Sequence, residues 1–269
     1  MRIQHNITAL NAHRNLTNNN TSVGKNLEKL SSGYRINRAG DDAAGLAISE
    51  KMRAQITGLE TAQKNANDGI SLVQTAEGAL TEVHSMLNRM VELATQSANG
   101  TYQSTNRTQM QTEITKLQEE ITRIAEKSDF NGQKLFTDAT TINLQVSDQA
   151  GDYIGVQLKT LKDEIANSLD IDISDKDGAE EAITQVKADI DAVSTLRSDF
   201  GAAQNRLEHT VNYLGVQTEN LSAAESRIRD VDMAKEMMAY TKNNILVQAS
   251  QAMLAQANQV PQGVLQLLQ

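Results

Sequence analysis

The chain has 269 residues, no cysteine, no tryptophan, a single proline and only 3% aromatic residues. That composition excludes disulfides, thiol catalysis and cysteine-ligated zinc, and it argues against a thick globular core or a deep aromatic-lined ligand pocket. The formal charge of −9 resides in residues 138–199, where 14 acids face 5 bases; such a block argues against nucleic-acid binding and is expected to be solvated surface.

Proline breaks helix interiors, so its absence before Pro261 permits very long helices. The start, Met1-Arg2-Ile3-Gln4-His5-Asn6, lacks the apolar run of a secretory signal. No run of about 18 apolar residues exists, so no membrane insertion is expected. Export, if it occurs, is expected to use a route without a cleaved signal.

Residues 3–24 carry one formal charge, Arg14. Ile3, Ile7 and Leu10 fall at helical spacing, as do Leu16, Val23, Leu27 and Leu30, with a polar gap at Asn20. The segment 31–42 breaks the pattern, and its Gly and Asp residues suit turns and a helix N-cap. From Leu59 to Ala94 the apolar steps are three and four, which predicts a long amphipathic helix. Ser97-Ala98-Asn99-Gly100 is expected to end it, with Gly100 as a left-handed cap. A second helix is expected over 104–128, with Ile114, Leu117, Ile121 and Ile124 on one face and Asp129-Phe130-Asn131-Gly132 as the stop.

Over 142–158 the period changes to two. Ile142, Leu144 and Val146, then Ile154, Val156 and Leu158, alternate with polar residues and predict a β-hairpin with a long loop. A lone hairpin is not stable, so it must lean on the helices. A third long helix is expected from about Gly178 to Ile228, packed in coiled-coil fashion against 59–98, with 104–128 completing the bundle.

No Asp, Glu, Lys or Arg occurs after Lys242. Ile245, Leu246, Met253, Val264, Leu265, Leu267 and Leu268 alternate with amides. A helix bathed in water carries charges on its polar face, so this tail, like the low-charge N-terminal segment, reads as made for burial against protein. The fold class that follows is mainly α: a long antiparallel helical bundle or coiled coil with a small β-hairpin, the N- and C-terminal helices paired.

Catalytic patterns are missing. Phosphate-loop, zinc-protease and calcium-loop motifs do not occur, and the histidines at 5, 13, 84 and 209 lack metal-ligand spacing. The Asp41-Asp42 pair has no nearby nucleophile and reads as turn and cap chemistry. Met86, Met90, Met233, Met237 and Met238 lie at helical spacing and read as core or interface residues. No enzyme activity, cofactor or metal is expected.

The run from Leu30-Ser31-Ser32-Gly33-Tyr34-Arg35-Ile36-Asn37-Arg38-Ala39-Gly40-Asp41-Asp42 to Ser49 resembles the N-terminal signature of bacterial flagellin. Glu92 to Gly100, Phe130-Asn131-Gly132 and Ala257 to Leu265 also resemble that family. The resemblance implies an inner assembly domain from 1–42 and 232–269 and an outer helical bundle with hairpin from 43–231. It implies a self-polymerising filament subunit for motility, exported unfolded by the flagellar type III system. It further implies an export chaperone bound at the C-terminal segment, and hook-associated and cap proteins as neighbours. Filament assembly would rest on Ile3, Ile7, Leu10, Ile245, Leu246, Met253, Val264, Leu265, Leu267 and Leu268. Arg89, Leu93 and Glu113 match the motif by which a host Toll-like receptor reads some members, and Leu265, Leu267 and Leu268 match what an intracellular sensor reads in others. Only about 20 residues, Lys159 to Gly178, join the hairpin to the third helix, so the large outer insert of many relatives is expected to be missing. The competing readings are a hook–filament junction protein and, from another class, a membrane pore-former.

Overall fold

A computed structural model describes residues 6–267, with side chains through Gln259. Six helices and two small hairpins account for most of it: α1 (Ile7–Ser32), α2 (Ala43–Ala98), α3 (Ser104–Lys127), β1 (Asp129–Phe130), β2 (Gln133–Lys134), β3 (Thr141–Gln145), β4 (Tyr153–Gln157), α4 (Leu161–Glu164), α5 (Lys176–Arg229) and α6 (Met233–Leu267). The described residues form two compact units. One takes the chain ends, through Ile56 and from Glu219, and the other is Thr57–Thr218. These boundaries lie inside α2 and α5.

In the unit Thr57–Thr218 the three-four periodicity does what it promised. Val73, Ala76, Leu80, Val83, Leu87, Met90 and Ala94 of α2 are buried against Ile114 and Ile121 of α3 and Val186, Val193, Leu196 and Phe200 of α5. The predicted hairpin forms antiparallel, with Ile142 opposite Val156 and Leu144 opposite Ile154. It does lean on the helices: Val146 and Ile154 bury against Ala66 and Leu207. Gly69 allows that approach, because a Cβ there would sit 2.2 Å from Leu144 Cδ1. The stop at Asn131-Gly132 is itself a tight hairpin between β1 and β2, both turn residues having positive φ, 51° and 80°.

Two expectations need correction, and one segment holds more than its length suggested. Gly100 is not in the left-handed region; the left-handed helix cap is Gly33, φ 75°, whose N–H donates to Lys29 O at 2.9 Å. Residues 159–178, expected only to join the hairpin to the third helix, carry structure of their own. They hold α4 and a 3-10 turn at Ala166–Asp170, and they bury Leu161, Ile165, Ile171 and Ile173 in the bundle core. Side-chain amides hold the stretch down: Gln111 donates to Ile171 O and accepts from Ile173 N, and Gln118 donates to Ser168 O. The acidic block is not wholly solvated. Its carboxylates are exposed except half-buried Glu164 and buried Asp189, which accepts from Ser168 N at 2.6 Å, from Ser168 Oγ and from Asn167 Nδ2 at 2.8 Å.

In the other unit α1 packs against α6, the pairing anticipated for the chain ends. The seam differs from the predicted stripe. Among the half-buried positions of α1, Ala9, Ala12, Leu16, Asn19, Val23, Asn26 and Leu30 run in steps of three and four, a line built from small and amide side chains as much as from aliphatic ones. Asn6 Nδ2 donates to Ala257 O at 2.8 Å and Asn19 Nδ2 to Ser250 Oγ at 3.0 Å across it. Leu27, assigned to the stripe by periodicity, is exposed.

Candidate functional site

The terminal helices leave many of their large apolar side chains outside the seam. On α1, Ile7, Leu10 and Leu27 are each more than half exposed. On α6, Val247, Ser250, Leu254 and Ala257 turn inward, while Met238, Ile245 and Met253 are more than half exposed and Leu246 is 40% exposed. No α1 residue is fully buried, and Ser250 is the one buried residue of α6 among those described. Pattern reading placed Ile7, Leu10, Ile245, Leu246 and Met253 on a face for assembly, and the structure brings them to the surface of one helix pair. Ile3 and Leu268 lie outside the described residues, as do the side chains of Val264, Leu265 and Leu267.

The segment of the N-terminal signature ties the two helices at their shared end. Tyr34 forms an antiparallel bridge with Asp230, Arg35 N donates to Arg229 O at 2.7 Å, and Val231 N donates to Gly33 O at 3.0 Å. The Tyr34 ring lies 4.8 Å from the Arg229 guanidinium and 5.7 Å from that of Arg53. Those cations are also held by carboxylates, Arg53 by Glu225 at 3.1 Å and Arg229 by Glu50. Of the Asp41-Asp42 pair read as turn and cap chemistry, Asp42 caps α2, its Oδ1 accepting from Gly45 N at 2.9 Å. Asp41 Oδ2 accepts from Arg38 N and Asn37 N, and these backbone donors hold its pKa below the usual aspartate value. Sequence reading identified the turn and cap residues here. It missed the joint across the chain ends, because one tyrosine between arginines separated by more than 170 residues has no sequence period.

In the other unit, Arg89, Leu93 and Glu113 line one shallow groove of about 350 Å³, together with Tyr102, Asn106 and Met110. Arg89 Nε donates to Glu113 Oε1 at 2.9 Å and its Nη1 to Glu92 Oε2 at 2.9 Å, so Glu113 first and Glu92 second raise the guanidinium pKa. Both charged side chains are about half exposed, whereas Leu93 is 1% exposed and forms the floor of the groove as part of the bundle core. The charges pair with each other, and no cluster of three or more His, Cys, Asp or Glu that could hold a metal exists among the described residues. No helix among the described residues is long and apolar enough to cross a membrane.

Comparison with known proteins agrees with the arrangement at both ends. Residues 3–141 match the bacterial flagellin N-terminal helical region and residues 180–268 the bacterial flagellin C-terminal helical region. The chain is 57% identical to a flagellin of Halalkalibacterium halodurans and 47% identical to the flagellar filament 33 kDa core protein of Treponema phagedenis, covering 100% of both partners in each case. The crystal structure of Bacillus cereus flagellin is similar with a TM-score of 0.53 and 35% identity, over 60% of this chain and 94% of that one.

Proposed function

The chain belongs to the bacterial flagellin family and is a structural subunit of the flagellar filament, and from that premise we propose that the outward apolar faces of α1 and α6 are the surfaces through which copies polymerise. The carrying observation is the division of labour in the helix pair. Its seam mixes alanine and asparagine with Leu16, Val23, Leu30 and Leu254, while Ile7, Leu10, Leu27, Met238, Ile245 and Met253 stand in water. Each such side chain removed from water contributes about 1.5–3 kcal/mol, which a neighbouring copy would supply and the isolated pair forgoes. Residues 1–42 with 232–269 act as the inner assembly domain and 43–231 as the outer one. The full-length identity to flagellins outweighs the junction-protein reading.

Deleting the chain from Val260 onward is expected to abolish filament growth while leaving the unit Thr57–Thr218 folded. Filaments of normal length from that truncation would sink the assignment. The uncharged segment after Lys242 supports a second role as the docking segment for an export chaperone before type III export unfolded, with hook-associated and cap proteins meeting the filament ends.

A narrower reading concerns the groove over Leu93. Arg89 and Glu113 offer a half-exposed cation and carboxylate side by side, a pattern suited to a host Toll-like flagellin receptor, with Leu93 shaping the floor beneath. Arg89→Ala is expected to weaken receptor binding by roughly 2 kcal/mol if it is a hot spot. Equal signalling by both proteins would reject this role.

A further inference from the structure

All four methionines of α6 are exposed: Met238 by 68%, Met253 by 54%, Met237 by 50% and Met233 by 49%. The described methionines elsewhere are not; Met90 is fully buried, and Met52, Met86 and Met110 are half-buried. Helical spacing therefore does not place this residue type in the core uniformly, and the exposed set is confined to one element. Met238 and Ile245 lie seven residues apart, two turns along one side of α6, so the thioethers continue the apolar face assigned above to assembly. Met233 and Met237, four apart, begin it beside the N-cap Asp232. The chain has no cysteine to compete for an oxidant.

We propose that Met233, Met237, Met238 and Met253 form an oxidation-sensitive modification site whose conversion to sulfoxide by a hydroperoxide blocks addition of a subunit to the filament. The sulfur lone pair attacks the terminal oxygen of hydrogen peroxide. The O–O bond breaks as the S–O bond forms, and the departing hydroxide takes the proton left on the transferred oxygen and leaves as water. Sulfur is oxidised by two electrons and the peroxide is reduced by two. The product side chain is polar and chiral where an apolar one stood, on a surface that must lose water when a second copy covers it. The proposal rests on the reading that this face is the polymerisation surface. The same cover makes the reaction one-sided: thioethers reachable in a free subunit are shielded once it is incorporated.

The test uses full-length subunits, filament seeds and hydrogen peroxide, with peptide mass spectrometry for each methionine, circular dichroism for the folded helices and seeded elongation for assembly. Free subunits are expected to gain oxygen at the four α6 methionines roughly tenfold faster than at Met90, and seeded filaments to resist at all four. Oxidised subunits should keep their helical spectrum yet need a roughly tenfold higher concentration to elongate seeds, and methionine sulfoxide reductase should restore them. The quadruple Met→Leu variant keeps the apolar volume but has no thioether to oxidise, so peroxide should leave its elongation at whatever level it had before treatment. The quadruple Met→Gln variant should elongate poorly without any peroxide. Normal elongation by oxidised subunits, or by the glutamine variant, would overturn the proposal and leave the assembly reading standing. Failure of untreated wild-type subunits to elongate seeds would overturn the assembly reading itself.

Discussion

The bundle Thr57–Thr218 and the α1–α6 pair are written in the same three-four rhythm, yet they use it in opposite ways. In the bundle, Leu80, Val83, Leu87 and Met90 are completely buried, because three helices, a hairpin and a strapped-down connector close around them. In the pair, the inward line is Ala9, Ala12, Asn19 and Asn26 with occasional aliphatic residues, and Ile7, Leu10 and Ile245 face water. Periodicity shows that a helix has two faces; it does not show which face is satisfied within one chain. Charge supplies the missing information. The bundle helices carry ion pairs on their outer faces, such as Lys116 with Glu119 and Lys162 with Glu126. α6 carries none after Lys242. An outer face without charge is a face awaiting protein.

The largest contrast comes from truncating one apolar side chain in each region. Leu87→Ala removes a fully buried residue and is expected to destabilise the subunit by about 2–5 kcal/mol, measured by urea unfolding. Ile245→Ala should change subunit stability by less than about 0.5 kcal/mol while raising the concentration needed for filament growth. Equal losses of subunit stability at both positions would erase the distinction.

A middle-sized effect is expected at the connector. Asp189→Asn turns an acceptor of three hydrogen bonds into a group with a donor aimed at other donors. That should cost about 1–3 kcal/mol in unfolding of the bundle and leave seeded elongation at low temperature unchanged. Lost elongation by a well-folded Asp189→Asn subunit would move part of the assembly surface into the bundle.

The smallest effect is acid sensitivity at the joint. Asp41 has its pKa lowered by the Arg38 and Asn37 backbone donors, so its contribution is fully present above the ordinary aspartate range. It fades as pH falls through that range toward the lower folded value. Amide exchange of residues 33–42 should accelerate below about pH 4, and Asp41→Asn should flatten that acid limb. A profile identical in the variant would show that Asp41 does not set it.

Much of the architecture was legible from the residues. The helix at 104–128, the hairpin and its need for support, the Asp42 cap and the pairing of the ends all follow from period, turn chemistry and charge. The burial of the connector was not legible, because Leu161, Ile165, Ile171 and Ile173 are scattered among acids and short irregular segments have no period to announce burial. Leu27 was misplaced because a seam built from Ala and Asn hides from a search for large apolar side chains. The Tyr34 joint depends on partners more than 170 residues away. The assembly face was visible in composition, but the identity of the inward residues required the structure.

The central claim is that neighbouring copies, rather than α1 and α6 alone, satisfy the terminal helices. Hydrogen exchange on free subunits and on seeded filaments of the same protein tests it most directly. Ordering costs about 1–2 kcal/mol per residue, which the exposed pair recovers poorly. The account predicts fast exchange of residues 6–32 and 233–259 in the subunit, strong protection of both in the filament, and slow exchange of the bundle in each. Terminal amides already as slow as those of the bundle in the free subunit would contradict it.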